Sequence, residues 1–179
     1  MTLLKIAKMG DPVLSEVSNV VDDPTSEPVK KLLKDMHDTM FDADGTGLAA
    51  PQVHSGKRVI MFMAQNSNQK NEKNIDTDFA PLTSLINPSW KPLSEAMEIG
   101  WEGCLSIPGL TGAVPRYVNI KYQGYLVDGT ILERQATGFH ARVFQHEYDH
   151  LDGVLYPQRM ENLKHLVFTD EAMRHGLPS

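Results

Sequence analysis

"QHEYDHLDG", residues 145–153, decides how the rest of the chain is read. His146 and His150 stand four residues apart, and on a helix positions i and i+4 lie on one face. The spacing predicts a helix over 138–151, ended before Gly153. Phe139, Val143, His146 and His150 then share one face, with the imidazoles flanked by apolar side chains. Two histidines so placed can grip one metal ion, and Glu147 beside them is the natural base of an HExxH hydrolase. The same pair can equally be two ordinary histidines on a buried face. A catalytic metal also needs a third protein ligand and one open position.

The third ligand is sought outward from that helix. The downstream histidine of the HExxHxxGxxH spacing would fall on Tyr156, so that pattern is absent. His165, His175, Glu161 and Glu171 remain in a weakly patterned tail. Upstream, "EGCLSIPG" (102–109) carries the only cysteine, Cys104. A thiolate is a strong ligand for zinc or ferrous iron, although a lone cysteine is also a common core residue. Glycine and proline around it suit a loop or irregular strand that delivers one side chain. Farther upstream, "GTGLAAPQ" (45–52) offers Gly45 and Gly47 for close backbone approach to a ligand, and Gln52 as an amide donor. A helix stop followed by a turn would explain the glycines too. No Gly-Lys-Ser/Thr follows, so a phosphate loop is excluded.

Around these stretches the chain patterns as α+β. "SEPVKKLLKDMHDTMFDADG" (26–45) is predicted to be a helix capped by Ser26, with Pro28 in its first turn and Gly45 past its end. Val29, Leu32, Leu33, Met36 and Met40 mark its buried face. Asp11-Pro12 suits the start of a short earlier helix. Residues 57–64 read as a buried strand, 65–78 as an exposed polar loop, and 82–90 and 94–103 as strands. Residues 118–136 alternate around Asp128-Gly129, a hairpin signal. Short turns rather than crossover helices join the strands, so the sheets are expected to be mainly antiparallel. One domain over 1–179 is expected, without repeats.

Composition excludes several classes. Hydrophobic residues at 41% and charged residues at 22% are ordinary for a globular protein. No run approaches the ~18 apolar residues of a membrane span. Charges interrupt the apolar N-terminal run, which does not read as a secretory signal. A net charge of −6 argues against specific DNA binding, though it leaves room for a local basic patch on a ribosome. A single cysteine forbids an intrachain disulfide and suits a reducing compartment.

Taken together and in order, GxGLAAPQ (45–52), EGCLS (102–106) and HExDHLxG (146–153) resemble the three signature stretches of the peptide deformylases, and the likeness extends over roughly 5–160. The resemblance implies an α+β fold with antiparallel sheets around the HExxH helix. It implies hydrolysis of the formyl group from N-formylmethionine on new polypeptides, with release of formate. It makes Cys104, His146 and His150 the ligands of one Fe²⁺, for which Zn²⁺, Ni²⁺ or Co²⁺ can substitute. Glu147 becomes the general base and acid, and Gln52 and the Leu105 backbone N–H become the oxyanion donors. Gly45 and Gly47 would lie along the substrate chain, and Gly100, Phe139 and Val143 would wall the methionine pocket. Glu102 is expected to pair with Arg116, and Asp149 to anchor the metal helix. N-formylmethionyl nascent peptides, and transiently the ribosome, are the implied partners in a bacterial cytoplasm, an organelle origin with a trimmed leader being the alternative. Three features depart from the common pattern. The tail 161–179 is short and acidic where many members carry a basic ribosome-docking helix, Thr111 replaces a frequent arginine, and "HAR" (140–142) replaces a more apolar run. A metal peptidase of another specificity and a non-catalytic metal-stabilised module are the competing readings.

Overall fold

A computed structural model describes residues 2–64 and 78–178. The polar stretch expected as a loop, 65–78, falls almost wholly outside the described residues. The elements run α1 (Glu27–Asp42), β1 (Gly47–Ala49), β2 (Val59–Ala64), β3 (Ala80–Pro92), β4 (Met97–Cys104), β5 (Ile107–Tyr117), β6 (Asn119–Tyr125), β7 (Ile131–Thr137), α2 (Gly138–Leu151), β8 (Leu166–Phe168) and α3 (Thr169–His175). A 3₁₀ turn over Pro12–Ser15 is capped by Asp11, whose carboxylate accepts from the Val13 N–H at 3.2 Å. The strands form one sheet in the order β1-β2-β3-β6-β7 and a second in the order β4-β5-β8. Every named strand pair is antiparallel, which makes the fold α+β as expected.

Strand β2 shows why the larger sheet sits where it does. Successive side chains on a strand point to opposite faces. Ile60, Phe62 and Ala64 join Val143, Phe144 and Leu151 of α2 on one side. Val59 and Met61 join Val29, Leu33, Met36 and Met40 of α1 on the other. Both faces are therefore covered, and the strand is apolar throughout rather than alternating. Helix α2 packs on β1, β2, β6 and β7 and also on β5, so it is held between the two sheets. Phe144 is fully buried and stacks on Tyr122 at 4.3 Å between ring centroids.

Local signals are realised with some changes. Ser26 occupies the N-cap position of α1, but its hydroxyl donates to the Asp23 carbonyl and caps nothing. At the other end the left-handed residue is Asp44 (φ 50°), not Gly45. The Asp44 N–H donates to the Phe41 carbonyl and the Gly45 N–H to that of Met40, the paired bonds of a Schellman ending. The Asp128-Gly129 hairpin forms, with Gly129 at φ 86° and Asp128 accepting from the Thr130 N–H. Strand β5 is the largest departure. Its glycines and prolines read as irregular, yet pairing with β4 and β8 holds it extended from Ile107 to Tyr117. The weakly patterned tail likewise supplies β8 and α3.

Candidate active site

Three elements bring the site together. Helix α2 presents His146 and His150 one turn apart, with ring centroids 5.1 Å apart. Strand β4 ends at Cys104, where the ladder with β5 slips in register and the chain turns at once into Ile107. Cys104 Sγ lies 3.3 Å from His150 Nε2. Ligand atoms of Cys104, His146 and His150 all lie within 4.8 Å of one another, although 104 and 146 are far apart in sequence. The third element is the 3₁₀ turn after β1, Ala50–Val53, which buries Gln52. Its side-chain carbonyl accepts from the Ala49 N–H at 2.8 Å. Its amide N–H₂ is thereby aimed at the site, 3.1 Å from Ser106 Oγ and 3.5 Å from Cys104 Sγ.

Glu102 organises the charge behind this cluster. His146 Nδ1 lies 2.8 Å from Glu102 Oε2, which leaves Nε2 as the ring nitrogen that could ligate a metal once it is deprotonated. Arg116 donates to both Glu102 oxygens, at 2.9 and 3.0 Å, and Arg142 to Oε1 at 2.8 Å. The same Arg116 reaches Asp149 on α2, which Arg159 also holds. Burial opposes the Glu102 carboxylate, but hydrogen bonds from His146 and Arg116 outweigh it and hold the group down at about 2. On His146 the bonds to Cys104 and Glu102 outweigh burial and favour the proton. Burial, reinforced by the neighbouring His146, pushes His150 well down. One thiol and two imidazoles converging on a point form a donor set that suits zinc or ferrous iron with an open position.

Glu147 is a different kind of carboxyl. It is buried, its Oε2 finds no hydrogen-bond partner among the described residues, and burial pushes it up to about 7. Gly47 makes room for it, since a Cβ at Gly47 would lie 2.1 Å from Glu147 Oε1. A carboxyl that exchanges its proton near neutrality, beside a metal-ligand cluster, is equipped for general acid–base work.

The cluster opens into a cleft of about 440 Å³. Gly45, Gly47, Gln52, Cys104, Leu105, Phe139, Val143, His146 and Glu147 all line it, and His150 lies deeper behind them. Gly100 does not line this cleft. It borders a neighbouring hollow, because the Arg142 guanidinium lies between, 2.7 Å from where a Gly100 Cβ would stand. Thr111 also stays out of the cleft, with its hydroxyl donating to the Glu102 carbonyl at 3.0 Å. Sequence reasoning set "HAR" (140–142) apart as a departure at the pocket rim without giving Arg142 a role of its own, and it missed Ser106 and Trp101 as site residues. A cation four residues before His146 on the metal face, with Glu102 available as its partner, was the signal for Arg142. Thr169 of α3 also lines the cleft, and nothing in the tail announces it.

Comparison with known proteins agrees with this geometry. The sequence matches the profile of the polypeptide deformylase family over residues 3–166. It is 47% identical over 165 residues to peptide deformylase 1 of Nitrosomonas europaea, covering 92% of each chain. The fold is similar to the crystal structure of peptide deformylase from Ehrlichia chaffeensis, with a TM-score of 0.83 and 30% identity over 91% of this chain and 90% of that one. It is also similar to a Met-Ala-Ser-bound class I type b peptide deformylase from Acinetobacter baumannii, with a TM-score of 0.79 and 33% identity over 89% of this chain and 99% of that one.

Proposed function

The chain belongs to the polypeptide deformylase family and is an enzyme that removes the N-formyl group from nascent peptides; on that premise we propose that Cys104, His146 and His150 hold its metal and that Glu147 moves the protons. The observation that carries this reading is the buried Glu147 carboxyl, whose Oε2 has no hydrogen-bond partner among the described residues, beside three converging ligand atoms. When bound, the metal supplies Lewis-acid polarisation and lowers the pKa of a water to near neutrality. The residues of the chain do the rest. Glu147 takes the proton of the attacking water and returns it to the departing amine. Negative charge that builds on the formyl oxygen is met by the Gln52 amide, preset by its bond to Ala49, and by the Leu105 backbone N–H. Phe139 and Val143 supply the apolar wall for the methionine side chain, and Gly45 and Gly47 let the peptide backbone approach.

The S,N,N donor set supports Fe²⁺ as the resident ion, with Zn²⁺, Ni²⁺ or Co²⁺ able to take its place. We place the enzyme in the cytoplasm, as one catalytic domain over 1–179 meeting nascent chains at the ribosome. Among the described residues no helix is long and apolar enough to cross a membrane. Helix α3 has seven residues and its Arg174 is paired with Glu171, so no docking role is given to this helix.

The test is formate release from formyl-Met-Ala-Ser set beside cleavage of the unblocked peptide. Rapid formate release with the peptide bonds intact is expected; cleavage of the unblocked peptide would point to a peptidase instead. Metal analysis of Cys104→Ser and His150→Ala tests the ligands separately. Each variant is expected to lose most of its bound metal, and full occupancy in both would remove the assignment.

A further inference from the structure

Trp101, Phe139 and Arg142 line two cavities at once: the 440 Å³ cleft and an adjoining hollow of about 340 Å³ that Gly100, Tyr117 and Val118 border. They form the partition between the two. Phe139 is half exposed and sits at the rim, so the inner part of the partition falls to Trp101 and Arg142, both partly buried, and of these Arg142 is the one on the metal helix. This arginine is not a loose surface cation. Its side chain is 12% exposed. Nη1 donates to Glu102 Oε1 and the Val114 carbonyl at 2.8 Å each, and to the Gly100 carbonyl at 3.3 Å. Nη2 donates to the Glu98 carbonyl at 2.7 Å. The guanidinium fits because residue 100 lacks a Cβ, which would stand 2.7 Å from its central carbon. A planar group tied at four points is a rigid wall, whereas an unanchored side chain would swing aside for a bulkier guest.

We infer that Arg142 is a specificity-determining residue, its guanidinium being the end wall that limits how long an N-terminal side chain the cleft accepts. The inference rests on the reading of the cleft as the methionine pocket. Beyond the guanidinium lies space already present in the fold, so removing the wall extends the pocket rather than collapsing it. The side chains favoured by the opened pocket are straight and longer than methionine, running past Tyr117 and Val118 into a hollow that Glu98 and Arg116 also border.

The test compares kcat/KM for formyl-norleucyl and formyl-2-aminooctanoyl peptides, which differ by two methylenes. The wild-type enzyme is expected to favour the shorter side chain. Arg142→Ala is expected to shift the ratio toward the longer one by about tenfold, the worth of burying two methylenes. Arg142→Met keeps a side chain of similar length but loses all four anchoring hydrogen bonds, so its ratio is expected to shift in the same direction by less than that of Arg142→Ala. If Arg142→Ala does not fold, Arg142→Lys keeps a cation beside Glu102 while withdrawing the planar group, and the same direction of shift is expected. A wild-type enzyme indifferent to chain length would overturn the inference. So would Ala and Met variants that lose rate equally with an unchanged ratio, since Arg142 would then serve only to hold Glu102. Formate release from formyl-Met-Ala-Ser by the wild type reports on the underlying activity independently of that ratio.

Discussion

Glu147 and Gly47 act as one unit at the scale of single residues. The carboxyl is buried, has one oxygen without a hydrogen-bond partner among the described residues and is raised to about 7, so it gains a proton readily and gives it up readily. Glu147→Gln preserves size and removes the base. It is expected to keep metal and fold while kcat falls about 10²–10⁴-fold, measured as formate release with metal content determined in parallel; a near-normal rate would take Glu147 out of the mechanism. Gly47→Ala approaches the same group from the other side. A methyl 2.1 Å from Glu147 Oε1 must displace the carboxyl. The variant should bind metal normally and yet lose at least about tenfold in kcat, because a misplaced catalytic group is costly. Unchanged kcat in Gly47→Ala would show that the carboxylate position is not critical.

Between elements, the charges around Glu102 hold β4, β5 and α2 together. Glu102 stands on β4, Arg116 on β5, and Arg142, His146 and Asp149 on α2. Removing one buried partner leaves the charge of the others poorly balanced. Among the described residues, Glu102→Gln leaves Arg142 without an ionic partner and Arg116 with Asp149 alone, and should therefore lose about 3–5 kcal/mol at neutral pH, read from urea unfolding. The pH dependence follows from the same group. Its folded value of about 2 lies below the usual 4.5, so its contribution is fully present above 4.5 and is lost as pH falls toward 2. The shift corresponds to about 3 kcal/mol over that window. Wild-type stability should fall more steeply than that of Glu102→Gln between pH 5 and 3. Parallel curves would show that Glu102 is not the group responsible.

For the whole molecule, the single cysteine is expected to set how long an iron-loaded enzyme survives in air. Cys104 is half-buried at the mouth of the metal cluster, and no second thiol exists to capture an oxidised sulfur as an intrachain disulfide. A ferrous thiolate site exposed to oxygen can oxidise, and the sulfur can advance to sulfinic or sulfonic acid. Apo-protein reconstituted without oxygen is expected to be most active with Fe²⁺ and to decay in air as the Cys104 peptide gains oxygen mass. The Ni²⁺ and Co²⁺ forms should endure, and the Zn²⁺ form should be stable but slower. An iron form that stays active for days in air with Cys104 unmodified would refute this.

Some of this protein could be read from the chain alone, because short-range periodicity carries it. The i/i+4 histidines, the apolar stripe of α1, the all-apolar β2 and the Asp128-Gly129 turn are each specified within a dozen residues, where local geometry sets which side chains share a face. The residues alone left Cys104 open between core and ligand, and it was the order of three motifs that implied its role. Tertiary structure decided the rest. The slip in the β4–β5 register brings Cys104 to 3.3 Å from a histidine 46 positions away. Sheet pairing drew glycine-rich β5 and the tail strand β8 into order against their local signals. It also put the Arg142 guanidinium against Gly100, so that this glycine borders the neighbouring hollow rather than the cleft. Contacts of this kind depend on how two sheets close around one helix, and no local spacing encodes that packing.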